Sequence, residues 1–238
     1  MAGSWTPVFK QYIPMVREAA AVVAAILIAF AIDAWWDARG TAEDKREALA
    51  SLETELQGNL DLLASALRAD RQLVNTADAI VMMKPSDAMG VPSDSASILI
   101  RSLFHGVTFN PSEGALRSLL ATGAIEEIDS RQLRQAIAAL SRLSEDLSEE
   151  VDQIWMGWQR YVDRGIETGT HSSATALARD TGFQTISSAE LLNTYVRDSE
   201  FPEIFAEFAS IFDWYSRELE DVASEIDRTL SLIQAELQ

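Results

Sequence analysis

The sequence predicts an all-α protein in which one N-terminal transmembrane helix continues into a soluble helical bundle with coiled-coil-like long helices. Three observations predict this fold class. An uncharged apolar run lies near the N-terminus, apolar residues recur every three or four positions in the remainder, and no window alternates with the period of two that marks a half-buried strand. We therefore expect two parts: residues 1–38, an N-terminal interfacial segment and transmembrane helix, and residues 39–238, an acidic all-helical domain.

The predicted membrane segment centres on residues 19–32, which are apolar and uncharged. Fourteen residues are short for a spanning helix, but apolar character extends upstream to Tyr12 and downstream to Trp35 and Trp36. As an α-helix, the stretch from Tyr12 to Trp35 is about 34 Å long, close to the thickness of a bilayer core. Aromatic side chains prefer membrane interfaces, so these three residues are predicted to lie there.

Close helix packing is predicted on one face of this segment. Ala21, Ala25 and Ala29 recur at four-residue spacing, which lets a second helix approach, and Asp33 follows on roughly the same face. A carboxylate facing lipid is costly, so Asp33 is expected either to lie at the level of the headgroups or to face a protein partner. The predicted partners are therefore the lipid bilayer and either another membrane protein or a second copy of this chain.

Two alternatives for the segment stay open at this stage. It is a cleaved signal peptide if the Ala-Phe-Ala at residues 29–31 serves as the cleavage site, although an n-region ending in Glu18 would be unusually long. The basic residues on its two sides nearly balance, so the positive-inside rule does not decide the orientation. The short N-terminal tail, set against the acidic bulk that follows, favours an inside N-terminus and an outside C-terminal domain.

A long amphipathic helix is predicted to follow the apolar segment without a break. Leucine and other apolar residues recur at three and four positions over residues 49–80, and the first strong stop is Lys84-Pro85. Residues 84–93 are rich in Pro, Gly and Ser and are typical of a loop. Residues 95–104 are expected to form a short helix.

A further helix start is predicted at residues 110–113, because Asn at the cap, Pro in the first position and Glu in the third form a typical N-terminal signature. Gly123 is expected to end this helix. A long helix is then predicted from Asp129 to about Arg164. Gly165 is expected to end it and to begin a second loop.

Two more helices complete the predicted bundle. Ser187 with Glu190 forms a capping box that opens a short helix, and Pro202 opens a helix that continues to the C-terminus. The last helix carries apolar residues in an almost regular heptad from Phe208 to Leu237. We therefore expect three long helices with several short ones around them.

The charge of the chain is acidic and unevenly placed. The chain has 19 Lys and Arg against 37 Asp and Glu, a formal net charge of -18, and residues 1–36 sum to zero. Proteins that bind duplex nucleic acid use basic residues to neutralise phosphates, so nucleic acid is not an expected partner. The chain contains no cysteine, which excludes disulfides and thiolate metal sites.

No residue pattern indicates an enzyme, a metal or a cofactor. His105 and His171 lie far apart without metal-ligand spacing, and phosphate-binding and nucleophile-elbow motifs are absent. Neighbouring acids on a helix point about 100° apart, so the acidic clusters are expected to be solvated rather than to converge on a cation. Three tryptophans could line a pocket between helices, although filling a core is their commoner role: Trp155, Trp158 and Trp214.

Two motifs are spread over the chain: REAAAVVAAILIAFAIDAWWD at residues 17–37 and PSEGAL at residues 111–116. They resemble a family of uncharacterised bacterial single-pass membrane proteins, a domain of unknown function. The family's helix reads roughly R-E-(apolar)-G-I-L-I-A-(apolar)-I-N-N-W-N, and its second motif reads P-S-x-G-A-(aromatic). The resemblance implies the membrane topology and no catalytic residue. The chain departs from the family pattern at three places, which are Ala25, Asp33-Ala34 and Leu116.

These observations predict a membrane-anchored helical-bundle interaction protein, a scaffold or accessory subunit of a membrane complex, without catalytic activity. Its expected location is the bacterial inner membrane, which it crosses once. The C-terminal domain is expected to be periplasmic, with a cytoplasmic domain as the alternative. The alternative function is an extracytoplasmic domain that senses or binds a small molecule within the bundle.

Overall fold

The computed structural model describes the backbone of residues 8–104, 106, 108–181 and 185–238. Side chains are described for those of these residues that follow residue 25, except 33–39, 41 and 148–150. Every regular element within these ranges is a helix, which confirms the all-α prediction. One of the described elements is a 3-10 helix, Ala124–Glu127. The α-helices in chain order are α1 (Val8–Val81), α2 (Pro85–Ala88), α3 (Ser93–Ser102), α4 (Gly114–Ala121), α5 (Arg131–Glu167), α6 (His171–Ala178), α7 (Ser188–Arg197) and α8 (Phe201–Leu237).

The chain divides into two compact units, Met1–Ala50 and Ser51–Gln238. In the first unit, the described side chains of residues 26–32 are all exposed. Helix α1 runs through the unit boundary without a break, as the absence of a strong stop before Lys84-Pro85 predicts. Gly40 lies inside this helix and does not end it.

No helix in the described part of the chain is long and apolar enough to cross a membrane. The spanning helix therefore stays a prediction of the sequence. Of the residues predicted to pack or anchor it, Ala29 is exposed on α1. The side chains of the others lie outside the described residues: Tyr12, Ala21, Ala25, Asp33, Trp35 and Trp36.

The second unit is organised by three long helices: α1 from residue 51 onward, α5 and α8. Helix α8 is antiparallel to α1, because Arg71 contacts Glu220 at 2.6 Å while Gln234, further along α8, contacts the earlier Glu53 at 3.2 Å. These polar contacts lie at the surface and flank an apolar interior. Exposed pairs of this kind add little stability, so burial of apolar side chains stabilises the arrangement.

Helices α5 and α8 are also antiparallel to each other. Glu236 near the end of α8 accepts a hydrogen bond from the backbone N–H of Ser130, which caps the start of α5. The predicted apolar stripes of all three helices face one core, which confirms the helical-bundle prediction. Its largest buried side chains include Leu52, Leu63, Leu73 and Ile80 from α1, Ile137 and Tyr161 from α5, and Phe201, Phe205, Phe208, Phe212, Tyr215 and Leu219 from α8.

The short helices α2, α3, α6 and α7 pack together near the C-terminal end of α5. There Arg164 of α5 makes a two-pronged ion pair with Asp198, with its Nε 3.0 Å from Oδ1 and its Nη2 2.6 Å from Oδ2. Oδ1 of Asp198 also accepts the backbone N–H groups of Glu200 and Phe201 at the start of α8. One carboxylate therefore joins the end of α5 to the first turn of α8.

The expected end of α5 at about Arg164 is wrong by three residues, because the helix continues to Glu167 and stops before Gly169, whose φ is +72°. Gly165 has a different role. A side-chain carbon added to it would lie 3.2 Å from Cβ of His171, so the absence of a side chain allows α6 to approach α5 closely. The loop expected after Gly165 is limited to residues 168–170, because α5 ends at Glu167 and α6 begins at His171.

Candidate functional site

Two recesses lie beside the loop that precedes α4, and they share Glu113, Arg117 and Ser144. Their volumes are about 420 and 400 Å³. We call them together the α4–α5 groove. The larger recess is lined by Thr108, Phe109, Asn110, Pro111, Glu113, Arg117, Ser144, Leu147 and Val151, and the smaller adds Leu116, Ser141 and Glu145.

The loop that forms one wall of the groove is held to α1 by an amide. Nδ2 of Asn59 donates to the carbonyl oxygen of Ser112 at 2.8 Å, and Oδ1 of Asn59 accepts from the N–H of Ser112 at 2.9 Å. Asn59 is buried, so both polar ends of its side chain have their partners within the protein. The pair places Ser112 against α1 and leaves the opposite side of the loop facing α5.

Helix α4 is capped from α1 rather than by its own preceding residues. Oε2 of Glu55 accepts the N–H of Ala115 at 2.8 Å, and Oε1 accepts the N–H of Leu116 at 3.0 Å. The first N–H groups of a helix have no partners inside the helix, and a carboxylate suits the positive end of its dipole. The helix predicted to start at residues 110–113 therefore starts at Gly114.

The other end of the loop is anchored in the core. The backbone N–H of Phe109 donates to the hydroxyl of Tyr215 at 2.8 Å, and Tyr215 is fully buried. Burial raises the pKa of Tyr215 to about 12, and the nearby carboxylate of Asp70 acts in the same direction. The hydroxyl is therefore neutral near pH 7 and remains in place as an acceptor for the loop.

The polar centre of the groove is the carboxylate of Glu113. It accepts a hydrogen bond from the hydroxyl of Ser144 of α5, and Arg117 contacts it through Nε at 2.7 Å. These partners hold the pKa of Glu113 below its usual value, with the Ser144 hydrogen bond the largest cause and partial burial opposing it. Glu113 therefore carries its negative charge throughout the neutral range.

The floor of the groove is apolar and follows α5. Leu147 and Val151 lie on the face of α5 that also carries Ser144, since seven residues make nearly two helical turns. Trp155 comes one turn after Val151 on this face, and 65% of its surface is exposed. An apolar floor with a few convergent polar groups is typical of binding sites.

The three tryptophans predicted to line a possible pocket lie in different surroundings. Trp158 joins an aromatic cluster, with its ring centroid 5.5 Å from that of Tyr161 and 5.2 Å from that of Phe208. Trp155 lies on α5 with 65% of its surface exposed, and Trp214 lies on α8 with 39% of its surface exposed. No ring contact among the described residues joins two of these tryptophans.

The aromatic cluster contains a buried pair of tyrosines. The hydroxyls of Tyr161 and Tyr195 are 2.5 Å apart and hydrogen-bonded. Burial raises the pKa of both side chains above the usual value, so both hydroxyls are neutral near pH 7. Each hydroxyl supplies the other with the partner that a buried polar group requires, and this gives the pair a structural role.

Sequence reasoning missed the residues that build the groove, although one signal points to them. Asn59 lies three residues after Leu56 and four before Leu63, at the spacing of the apolar stripe. A polar residue at a core position requires a buried partner, which marks Asn59 as a place where a loop meets α1. Glu55 and Ser144 carry no comparable signal, because their spacing is that of ordinary solvated helix positions, and Glu113 stands out only as part of a helix-start signature.

No His, Asp or Glu side chains in the described part of the chain form a group of three or more that could hold a metal ion. No family model, curated protein or solved structure matches this chain. The family resemblance of residues 17–37 and 111–116 therefore stays a prediction. What the groove can do chemically follows from its own residues: it can hold an apolar group against α5 and a cation against Glu113.

Proposed function

We propose that the protein is a membrane-anchored interaction protein, a scaffold or accessory subunit of a complex in the bacterial inner membrane. In this proposal a single helix that includes residues 19–32 spans the bilayer. Tyr12, Trp35 and Trp36 lie at its interfaces, and the face with Asp33 contacts another helix. The bundle of residues 51–238 then presents the α4–α5 groove to a partner.

The observation that carries the membrane anchor in this proposal is an exposed apolar surface around α1 at residues 26–32. Five large apolar side chains between residues 26 and 32 expose between 49% and 67% of their surface. Successive helical positions are 100° apart, so these residues point in every direction around the helix. Exposing such a side chain to water costs roughly 1.5–3 kcal/mol relative to burial, which favours a lipid surrounding. The five are Ile26, Leu27, Ile28, Phe30 and Ile32.

Membrane anchoring can be tested by placing charge on this surface. The double variant Leu27→Arg, Ile28→Arg is expected to lose most of its resistance to carbonate extraction from membranes, because each arginine costs about 3 kcal/mol at the centre of a membrane helix. Met89→Arg, Ile98→Arg is the matched control, since both residues are exposed apolar positions of the bundle. Equal extraction of the two variants and the wild type would contradict the anchor.

Orientation can be measured cleanly because the chain contains no cysteine. Ser4→Cys and Ser231→Cys each introduce a single thiol, which a membrane-impermeant maleimide labels in intact spheroplasts only on the outer side. We expect labelling of Ser231→Cys alone, with Ser4→Cys labelled after lysis. The reverse pattern would place the C-terminal domain in the cytoplasm.

The interaction role is tested by cross-linking in native membranes followed by mass spectrometry. We expect a specific cross-linked species of higher mass that includes this chain. A strictly monomeric chain without a cross-linked protein would contradict the role in a complex.

A second candidate function is binding of a small molecule, and the volume of the groove favours it. The larger recess, about 420 Å³, lies within the range of small-ligand pockets. Thermal-shift screening of the full chain against metabolites tests this function. A ligand that raises the melting temperature of the wild type but not of Val151→Trp, which fills the groove floor, would support it.

A further inference from the structure

We propose that the α4–α5 groove docks a basic, amphipathic segment of a partner protein. A cationic side chain of that segment contacts the carboxylate of Glu113, and a neighbouring apolar side chain lies on the floor formed by Leu147 and Val151. The inference rests on the proposed interaction function and names the chemistry of the partner.

The size of the groove suits side chains of a polypeptide segment. Its two recesses, about 420 and 400 Å³, share Glu113, Arg117 and Ser144 and lie on either side of this polar centre. The larger recess has the apolar floor, and the smaller is lined mostly by polar residues. A segment with one cationic and one apolar side chain close together would match this division.

Charge decides which kind of segment fits. Among the described residues that line the groove, Glu113 and Glu145 are acidic and Arg117 is basic. Residues 51–238 contain 14 Lys and Arg against 31 Asp and Glu, a formal net charge of -17. A field of this sign attracts a basic partner and slows the approach of an acidic one. It also opposes docking of a second copy of the same bundle, which would bring the same excess of negative charge.

The contacts of Glu113 leave room for an exchange of cations. Arg117 is 79% exposed, so its ion pair with Glu113 contributes little and its side chain can swing into solvent. Ser144 belongs to α5 and donates to Oε1 of Glu113, whereas Arg117 contacts Oε2, so the two contacts use different oxygens. Glu113 is thus held in a fixed position for a cation that the partner supplies.

Trp155 indicates the direction in which the segment lies. It continues the line of Ser144, Leu147 and Val151 along α5, and most of its side chain is exposed to water. Exposed indoles are enriched at protein interfaces, where their large surface becomes buried. A segment lying along α5 would contact Glu113 near one end and Trp155 near the other.

The experiment uses the full chain in nanodiscs of zwitterionic phosphatidylcholine, a lipid that does not attract basic peptides by net charge. The probe is a fluorescein-labelled amphipathic 16-residue peptide of leucine and arginine, followed by fluorescence anisotropy. Two matched peptides replace every arginine by serine or by glutamate. We expect the arginine peptide alone to bind, with an affinity that falls several-fold between 50 and 300 mM NaCl because the contacts are ionic.

Three variants separate docking in the groove from general attraction to an acidic surface. Val151→Trp fills the floor without changing charge, and we expect it to weaken binding at least tenfold. Trp155→Ala removes an exposed side chain that the core does not need, and it is expected to weaken binding about fivefold. Ile98→Trp, a similarly bulky change at an exposed position of α3, is expected to bind like the wild type. Circular dichroism and thermal melting check the folding of each variant.

Each remaining outcome overturns the inference in a distinct way. Wild-type binding by both Val151→Trp and Trp155→Ala would show nonspecific attraction, and equal binding of all three peptides would remove the requirement for a basic segment. A homodimer that Val151→Trp abolishes would assign the groove to a second copy. A native partner whose cross-linking is unchanged in both groove variants would overturn the groove as its site while leaving the proposed interaction function intact.

Discussion

Asn59 and Ser112 form a pair in which one side chain satisfies both backbone groups of a single residue. The amide of Asn59 donates to the carbonyl of Ser112 and accepts from its N–H, at 2.8 and 2.9 Å, across 53 positions of sequence. The geometry resembles that of two paired backbone strands, but one partner is a side chain inside a helical stripe. The pair fixes where the loop before α4 meets α1, and with it the position of Glu113.

The Asn59–Ser112 pair leads to a stability prediction. Asn59→Leu is expected to lower the free energy of unfolding of the bundle by about 2 kcal/mol, because both backbone groups of Ser112 lose their partner. Asn59→Asp keeps an acceptor for the N–H but replaces the donor by a carboxylate oxygen that faces the carbonyl oxygen of Ser112 in a buried site, so at pH 7 it is expected to lose at least as much. Urea unfolding followed by circular dichroism in detergent micelles measures both. Equal stability of Asn59→Leu and the wild type would show that the pair contributes nothing.

Glu55 leads to a prediction about one helix rather than the whole bundle. Glu55→Ala is expected to cost about 1 kcal/mol, the usual effect of losing an N-terminal cap, and to speed amide hydrogen exchange at Ala115 and Leu116. Glu220→Ala removes an exposed carboxylate on α8 whose ion pair with Arg71 is solvated, and it serves as the matched control. If exchange at the two amides is the same in both variants, the cap is not formed in solution.

Asp198 leads to a prediction about pH. Its pKa lies below the usual value, chiefly because Arg164 hydrogen-bonds to it. A carboxyl with a lowered folded pKa stabilises the fold above its unfolded pKa, about 3.9, and that stabilisation disappears as the pH falls through the folded value. The melting temperature of the wild type should therefore fall steeply below about pH 4, with Glu113 acting in the same direction.

A substitution isolates the contribution of Asp198. Asp198→Asn is expected to lower the melting temperature at pH 7 by roughly 5 °C and to flatten its fall in acid. Asp213→Asn breaks an exposed pair with Arg217 and should leave the pH profile of the wild type unchanged. A profile of Asp198→Asn that runs parallel to the wild type from pH 7 to pH 2.5 would contradict the assignment.

Two glycines lead to opposite predictions for the same substitution. A Cβ on Gly106 would lie 2.6 Å from Cδ1 of Leu73 and 2.8 Å from Cζ of Phe212, so Gly106→Ala is expected to destabilise the bundle by about 1–3 kcal/mol. Gly58 lies inside α1 with nothing within 4 Å of that position, so Gly58→Ala is expected to stabilise it by about 0.5–1 kcal/mol. Urea unfolding measures the free energy of unfolding of both variants. A change in the same direction for the two would contradict the packing around Gly106.

The long helices follow from the sequence because their signals are local. The leucine spacing over residues 49–80 predicts the helical course of α1 there, and Pro85 predicts where that course ends. The helix start predicted at Ser187 is confirmed, because the N–H of Glu190 donates to the hydroxyl of Ser187 at 3.2 Å. Each of these signals lies within a few residues of the feature that it predicts.

The start of α4 could not be predicted in this way. Residues 110–113 have the composition of a helix start. The carboxylate that accepts the N–H groups of Ala115 and Leu116, however, belongs to Glu55, which precedes them by 60 and 61 residues. Asn59 meanwhile holds Ser112 outside the helix. A tertiary contact thus overrides a local signature, and the groove that depends on this contact was equally invisible to sequence reasoning.

The remote cap of α4 has a consequence for the order in which the protein assembles. Helix α4 has eight residues, fewer than an isolated helix needs to be stable in water. In its first turn the N–H groups of Ala115 and Leu116 donate to Glu55 of α1, so we expect α4 to form with the assembled bundle rather than as one of its nuclei. We therefore expect the wall that carries Glu113 to form late in folding, so that a chain without its native packing would present no groove to a partner.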